Sequence, residues 1–371
     1  MNYYLIAGEK SGDLHAGRLM HALRTQDTAA HFRGWGGEAM QSEGLELVKH
    51  YNETAFMGFW EVVKNLKKIK KLLQFCQEDL LAHRPDVLIL IDYPGFNLRM
   101  AKFAHEQGIR VFYFISPKIW AWNSGRVHKI KKYVDKMFSI LPFEQEFYQR
   151  YDFPIDYVGN PLYDAMREFV PSEDFDTKYA DLLQKPVIAL LPGSRRMELK
   201  HILPRLLGVQ KQFPNCQCII AGVSSLPKSY YKTTKNIPII WDQTYELLAR
   251  ARVAVVASGT ATLETALFDV PQVVVYRTSP LTAWIAKRVI QVRYISLVNL
   301  ILDRAAVPEL IQKDFKHLYL YKHLELLLEN TMHRQKMKAA YQVLQQKLHT
   351  EGAAERAASL MWKYLSNNPQ K

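Results

Sequence analysis

The chain has 371 residues, 48% of them apolar and 23% charged, which excludes a disordered polymer and is more than one ordinary core holds. Lysine and arginine outnumber the acids 49 to 36, a net charge of +13, so anionic partners are expected: phosphates, nucleic acid or acidic lipid. Three cysteines, no basic-then-apolar leader and no uncharged apolar run near the ~18 residues of a spanning helix argue against a disulfide scaffold and a membrane span, and point to a cytosolic setting.

Residues 3–7, 87–91, 111–115 and 136–140 are short, apolar and β-rich, with helical stretches at 14–24, 58–81 and 99–107 between them. Continuous apolar strands separated by helices predict a parallel sheet covered on both faces. Strands at 187–191, 216–221, 237–241, 253–257 and 272–276 repeat the pattern. The stretch between, 159–186, is rich in Pro, Asp and Glu and weak in periodicity, and reads as an interdomain linker. Residues 320–365 are helical with a break at Gly352. Their Ala-rich end, 353–365, has three possible seats: nearby, back on the first domain, or on a partner chain. The expected architecture is α/β, two doubly wound parallel-sheet domains facing across a cleft. One covers 1–163 and is joined by a last helix at 352–366; the other covers 186–350.

In such sheets ligands bind beyond the carboxyl ends of strands. After the first strand comes Gly8-Glu9-Lys10-Ser11-Gly12-Asp13, opening a helix. Its glycines permit close approach to an anion at the helix start, although Ser11 or Asp13 as a plain cap accounts for the same residues. Three polar groups on one turn, Glu9, Ser11 and Asp13, exceed what a cap needs. The glycine spacing here and at Gly34, Gly36 and Gly37 is not that of a dinucleotide fingerprint. Asp92 stands at a strand end before Tyr93-Pro94-Gly95-Phe96-Asn97. It suits a general base whose pKa is tuned by burial, or it and Asn97 fix a Pro-Gly turn. Trp120 and Trp122, beside Arg126, Lys129, Lys131 and Lys132, suit base stacking, which keeps an RNA-binding reading open.

In the second half, Pro192-Gly193-Ser194-Arg195-Arg196 joins a strand to a helix, and small residues with arginines suit a diphosphate. Ser258-Gly259-Thr260 opens a further helix. Its amides suit a phosphate, and Glu264 suits ribose hydroxyls; an ordinary capped turn is the plainer alternative. Asp174-Phe-Asp176 looks like a metal-binding pair, but it lies in the acidic linker and reads as solvated charge. Cys216-x-Cys218 has no histidine cluster beside it, so no metal site is expected there.

The motifs AGEKSGD (7–13), GWGGEAM (34–40), IDYPGFN (91–97), SPKIWAW (116–122), LPFE (141–144), VGNPL (158–162), LLPGSR (190–195), ASGTATLE (257–264) and SLVNL (296–300) occur in that order. Together the chain resembles the lipid-A-disaccharide synthase family of GT-B glycosyltransferases along nearly its whole length. The resemblance implies transfer of 2,3-diacylglucosamine from its UDP form to the 6-hydroxyl of 2,3-diacylglucosamine 1-phosphate. The products are a β-1,6 disaccharide and UDP, with inversion and with neither metal nor cofactor. It implies Asp92 as the base, important roles for Ser11 and Arg195, Asn299 near the uridine diphosphate, and Glu264 and Glu309 as donor contacts. Many members carry a second acid where this chain has Gly95, so Asp13 or Glu9 is a candidate to share the role. A homodimer through the C-terminal helices is also implied. The nearest alternatives are GT-B enzymes of the lipid II transferase or 2-epimerase type.

Residues 58–73, GFWEVVKNLKKIKKLL, carry five lysines against one glutamate. Phe59, Val62, Val63, Leu66, Ile69 and Leu73 form one stripe at helical spacing, with Lys64, Lys67, Lys68 and Lys71 opposite. Alone this is a sheet-covering helix with a solvated face. Given lipid substrates, the lysines are expected to face an anionic membrane, placing the enzyme peripherally on the inner face of the inner membrane. Phe56, Met57, Phe59 and Trp60 then form an apolar lip for acyl chains.

Overall fold

A computed structural model of the chain describes residues 1–53, 66–234, 237–290 and 292–367. The chain divides into two units, Met1–Pro161 with Thr350–Lys371, and Leu162–His349.

The first unit is a seven-stranded sheet ordered β3-β2-β1-β4-β5-β6-β7. The strands are β1 (Asn2–Ala7), β2 (His31–Gly36), β3 (Glu46–His50), β4 (Val87–Ile91), β5 (Arg110–Phe114), β6 (Lys136–Ser139) and β7 (Asp156–Tyr157), and neighbours pair in parallel. Alternation along β1 divides its side chains between two cores: Tyr3, Leu5 and Ala7 face one, Tyr4 and Ile6 the other. That two-sided burial is why the strands read as unbroken apolar runs. β2 escaped the sequence reading because its HFRGWG is polar and glycine-broken, although Trp35 is buried. β3 and β7 are edge strands whose residues are mostly half-exposed.

The helix Ala353–Ser366 returns to this unit and packs on the helix Lys10–Gln26. Ala357 and Ala358 allow the close approach, and Met361 and Leu365 are buried in the same core, worth about 1.5–3 kcal/mol each. Tyr364 Oη donates to Asp156 Oδ2 at 3.0 Å, and Lys136 Nζ lies 4.1 Å from the centre of the Tyr364 ring.

The second unit is a six-stranded parallel sheet ordered β10-β9-β8-β11-β12-β13. Its strands are β8 (Val187–Leu191), β9 (Gln217–Gly222), β10 (Ile239–Trp241), β11 (Ala251–Ala257), β12 (Gln272–Tyr276) and β13 (Glu309–Ile311). The expected linker is a correction: from Leu162 onward it belongs to the second unit, with helices Glu173–Lys178 and Ala180–Leu183. Phe175 is buried in that unit's core. Asp174 and Asp176 are exposed, as expected of solvated charge, but Asp176 is also paired. Arg250 grips it with two bonds, Nε to Oδ1 at 2.6 Å and Nη2 to Oδ2 at 2.8 Å, and this pairing pulls the Asp176 carboxyl below its usual range. Acidic composition there serves an arginine of the same unit, which sequence alone could not pair.

Candidate active site

At the C-terminal edge of the first sheet, β1 runs into Gly8, where an added Cβ would lie 2.3 Å from the Tyr93 ring. The glycine thus seats an aromatic from the neighbouring loop. Asp13 turns inward. It is 3% exposed, and its carboxylate accepts from the amides of Gly37, Ala39 and Met40 at 2.6, 3.0 and 3.2 Å. It therefore clamps the GWGGEAM loop to the first helix. Gly37 is required by the same clamp: a Cβ there would stand 2.2 Å from the Tyr51 ring. Ser11 is exposed on the first turn of the helix and Glu9 half-exposed at its cap.

Asp92 and Tyr93 follow β4 with φ of 44° and 48°, and Ile115, after β5, has φ 64°. Left-handed backbone at residues with side chains costs about 1–3 kcal/mol each and persists only where the surroundings impose it. Here the Asp92 carbonyl accepts from Tyr113 Oη at 2.5 Å and from Asn97 Nδ2 at 2.8 Å, and Asn97 Nδ2 also reaches the Ile91 carbonyl at 3.2 Å. In place of the alternative Pro-Gly turn, Pro94 opens the helix Pro94–Glu106, as its fixed φ favours. The strained pair leaves the Asp92 side chain half-buried at the sheet edge. Burial, and then the Glu9 charge, raise the Tyr93 phenol, so Gly8, Glu9, Asp92 and Tyr93 share one locality.

The two tryptophans part company. Trp120 is buried, and its Nε1 donates to Glu144 Oε1 at 2.9 Å. Trp122 is 41% exposed, with the Arg126 guanidinium 4.6 Å above its ring. A paired stacking platform for bases is thereby removed. Glu144, 1% exposed, is raised to about 7 by burial, against which Ser116, Trp120 and the Lys118 charge pull only part of the way. The motif LPFE carries no role for this residue by itself; an acid inside an apolar motif is the available signal.

In the second unit, Gly193 (φ 107°) precedes the helix Arg196–Leu206. Two amides of this turn are already taken: Glu198 Oε2 accepts from Ser194 N at 3.0 Å and Arg195 N at 3.1 Å. A Cβ on Gly193 would lie 2.2 Å from that oxygen. The Arg195 side chain stays exposed. The turn after β11 is different. Gly259 and Thr260 are exposed, and nothing lies within 4 Å of where a Gly259 Cβ would stand. Ser258 Oγ ties the turn to the Ile295 carbonyl at 2.8 Å, and Thr262 Oγ1 accepts from Leu297 N at 3.3 Å. Glu264 lies a turn further on, where burial raises it while Tyr245 Oη donates to it at 3.2 Å.

Asn299 and Glu309 belong to one hydrogen-bond network. Asn299, 1% exposed, donates to the Val307 carbonyl and to Glu309 Oε1, both at 2.9 Å, and accepts from Ala306 N and Val307 N at 2.7 and 2.9 Å. That exhausts an amide's four bonds. Glu309 also accepts from Ser296 Oγ at 2.7 Å and Ser296 N at 2.9 Å. Both side chains hold the SLVNL loop in place; the Asn299 amide is fully used, while Glu309 is half-exposed and its Oε2 accepts from Ile295 N at 3.0 Å.

Of the proposed membrane residues, Phe56, Met57, Phe59, Trp60 and Lys64 lie outside the described residues. Lys67, Lys68 and Lys71 are exposed on the helix Leu66–His83, whose Cys76 and Leu80 are buried. Among the described residues no helix is long and apolar enough to cross a membrane.

Two Rossmann-like units of this kind are the GT-B architecture of nucleotide-sugar enzymes, and solved structures agree on the fold. UDP-GlcNAc 2-epimerase from Neisseria meningitidis, solved with UDP-GlcNAc, superposes with a TM-score of 0.66 at 14% identity, covering 99% of this chain and all of its own. The calicheamicin glycosyltransferase CalG4 gives 0.60 at 15%, covering 99% of both. The sequence then names the family. The profile described as lipid-A-disaccharide synthetase matches residues 3–363, and the chain belongs to that family. Lipid-A-disaccharide synthase from Coxiella burnetii (strain CbuK_Q154) is 35% identical over 363 residues, 96% of each chain. The synthase from Myxococcus xanthus (strain DK1622) is 36% identical over 374 residues, 97% of each. The protein is therefore a glycosyltransferase, and the lipid II transferase, epimerase and RNA-binding alternatives fall away.

Proposed function

We propose that the protein joins UDP-2,3-diacylglucosamine to 2,3-diacylglucosamine 1-phosphate, releasing UDP and the β-1,6 disaccharide 1-phosphate. The observation that carries this is family membership along nearly the whole chain. Asp92 accepts the proton of the acceptor 6-hydroxyl as that oxygen attacks the anomeric carbon. The bond from that carbon to the diphosphate breaks, and the configuration inverts. A half-buried carboxylate held by a strained turn is preorganised for such a task. Gly95 leaves this turn without the second acid of many relatives. With Asp13 committed to amides, Glu9 is the acid remaining nearby to share the role.

The leaving diphosphate is best served by the open turn at Gly259 and Thr260, where exposed backbone and the helix dipole favour an anion; Ser258, whose amide donates to the Val275 carbonyl at 3.0 Å, shapes that turn. The Arg195 side chain supplies compensating charge. Gly193 and Ser194 shape its turn, in which Glu198 already holds the Ser194 and Arg195 amides. Asn299 and Glu309 position the neighbouring loop, and Glu264 lines the same helix. Lys67, Lys68 and Lys71 face an anionic bilayer, where acylated substrates reside, on the cytoplasmic side of the inner membrane. A homodimer would exchange the last helix, reusing the Ala357 and Ala358 contact between copies.

Incubation with the acylated UDP-sugar and the acylated sugar phosphate should release UDP and yield a disaccharide phosphate by mass. Absence of both products sinks the proposal.

A further inference from the structure

His201 and Arg205 lie one turn apart on the helix Arg196–Leu206 and within charge–charge reach of Arg277, the residue after β12. Arg277 Nη1 donates to the Gln312 carbonyl at 3.2 Å, just past β13. The Arg205 guanidinium lies 5.9 Å from the centre of the ring of Phe315, which is buried. Lys200 adds a further cation beside His201. Among the described residues none of these cations forms an ion pair with a carboxylate. His201 Nε2 is buried with no hydrogen-bond partner among the described residues.

Like charges gathered and partly desolvated oppose folding unless an anion compensates them. Both His201 and Arg205 respond in that sense, pushed down by burial first and then by their cationic neighbours. Two guanidinium forks and an imidazole are the donor set that a phosphate group matches. The cluster also lies near the β8 turn, since Tyr276, at the end of β12, is within reach of Arg195 and Glu198. Because Glu198 fills the amides of that turn, an anion arriving there has to be met by side chains.

We propose that Arg277, Arg205 and His201 form a phosphate-binding subsite of the second unit, at the end of β12, the strand paired with the one that leads to Gly259, for a phosphate group of one of the substrates. The identity of the arriving phosphate rests on the transferase reading; the subsite itself does not.

The test is calorimetric titration of the full chain with UDP and, separately, with glucosamine 1-phosphate, in wild type, Arg277→Gln and Arg205→Gln, each checked for a native circular dichroism spectrum. The dissociation constant of at least one probe should rise fivefold or more, with about tenfold expected for a lost charge-assisted bond. The ligand-free melting temperature should stay level or rise as repulsion is relieved. Loss confined to UDP assigns the donor diphosphate, loss confined to glucosamine 1-phosphate assigns the acceptor, and loss of both assigns a shared position. Arg277→Lys, which keeps the charge, should retain more affinity than Arg277→Gln. Neither probe shifting fivefold in either variant, or wild type binding neither, overturns the proposal. UDP release with true substrates is a separate reading, so failure of the subsite and failure of the transferase assignment are distinguishable.

Discussion

The indole nitrogen of Trp120 donates to Oε1 of Glu144 at 2.9 Å in the interior of the first unit. One buried acid thereby anchors the loop that follows β5. Burial raises that acid from the ordinary 4.5 to about 7. Between these values the folded state holds a proton that the unfolded state has released, so stability falls as pH rises through the window and levels off above it. Linkage puts the total near 3 kcal/mol. His15, lowered from 6.5 to about 4 chiefly by burial, acts oppositely, losing stability as pH falls. The measurement is therefore a difference. Urea unfolding of wild type and Glu144→Gln from pH 4 to 8 should show the variant gaining on wild type as pH rises. A pH-independent difference refutes the buried neutral acid.

Asp92→Asn should lower turnover by at least ~100-fold, the usual contribution of a positioned base. UDP-induced thermal stabilisation should remain near normal. Asparagine is the informative choice because it tolerates the left-handed backbone at φ 44°, so the turn survives the change. Activity within tenfold of wild type removes Asp92 from the base role.

Asn299→Ala leaves the Ala306 and Val307 amides without their acceptor, at about 1–3 kcal/mol per buried group. The expected signature is a melting temperature several degrees lower, with UDP affinity changed only a few-fold where the variant is folded. A large affinity loss at unchanged stability would restore Asn299 as a direct donor contact.

Replacing Lys67, Lys68 and Lys71 with glutamine should weaken partition onto phosphatidylserine-containing vesicles. At about 1 kcal/mol per lysine near such a surface the combined loss is on the order of 100-fold. Neutral vesicles should show little change. Equal binding of wild type and variant to the anionic vesicles rules out these lysines as the attachment.

The alternating helix and strand pattern was legible because each central strand is buried on both faces and so reads as a plain apolar run, as at 87–91 and 187–191. β2 was hidden by two glycines, of which Gly34 packs directly on the Leu5 backbone, and β13 by its brevity. At the site, the strand-end positions of Glu9, Asp92, Arg195 and Gly259 followed from chain order alone. The use made of the polar groups did not. Asp13, Asn299 and Glu309 have the same chemistry as binding residues, and only their partners, up to 27 positions away in the chain for Asp13 and Met40, show that they hold neighbouring loops.

Sequence by itself determined the alternation that makes two parallel sheets, the surplus of cations and the ordered motifs that place the chain in its family. All three are one-dimensional properties: spacing, composition and order. Tertiary structure alone decided which polar groups remain available for chemistry. Hydrogen bonds are satisfied locally and exclusively, so an acid such as Glu198 that fills one phosphate turn leaves another, at Gly259, as the open one. It also decided that His201, Arg205 and Arg277, separated by up to 76 positions, stand together without a counter-charge among the described residues, because only folding sets the distance between residues far apart in the chain.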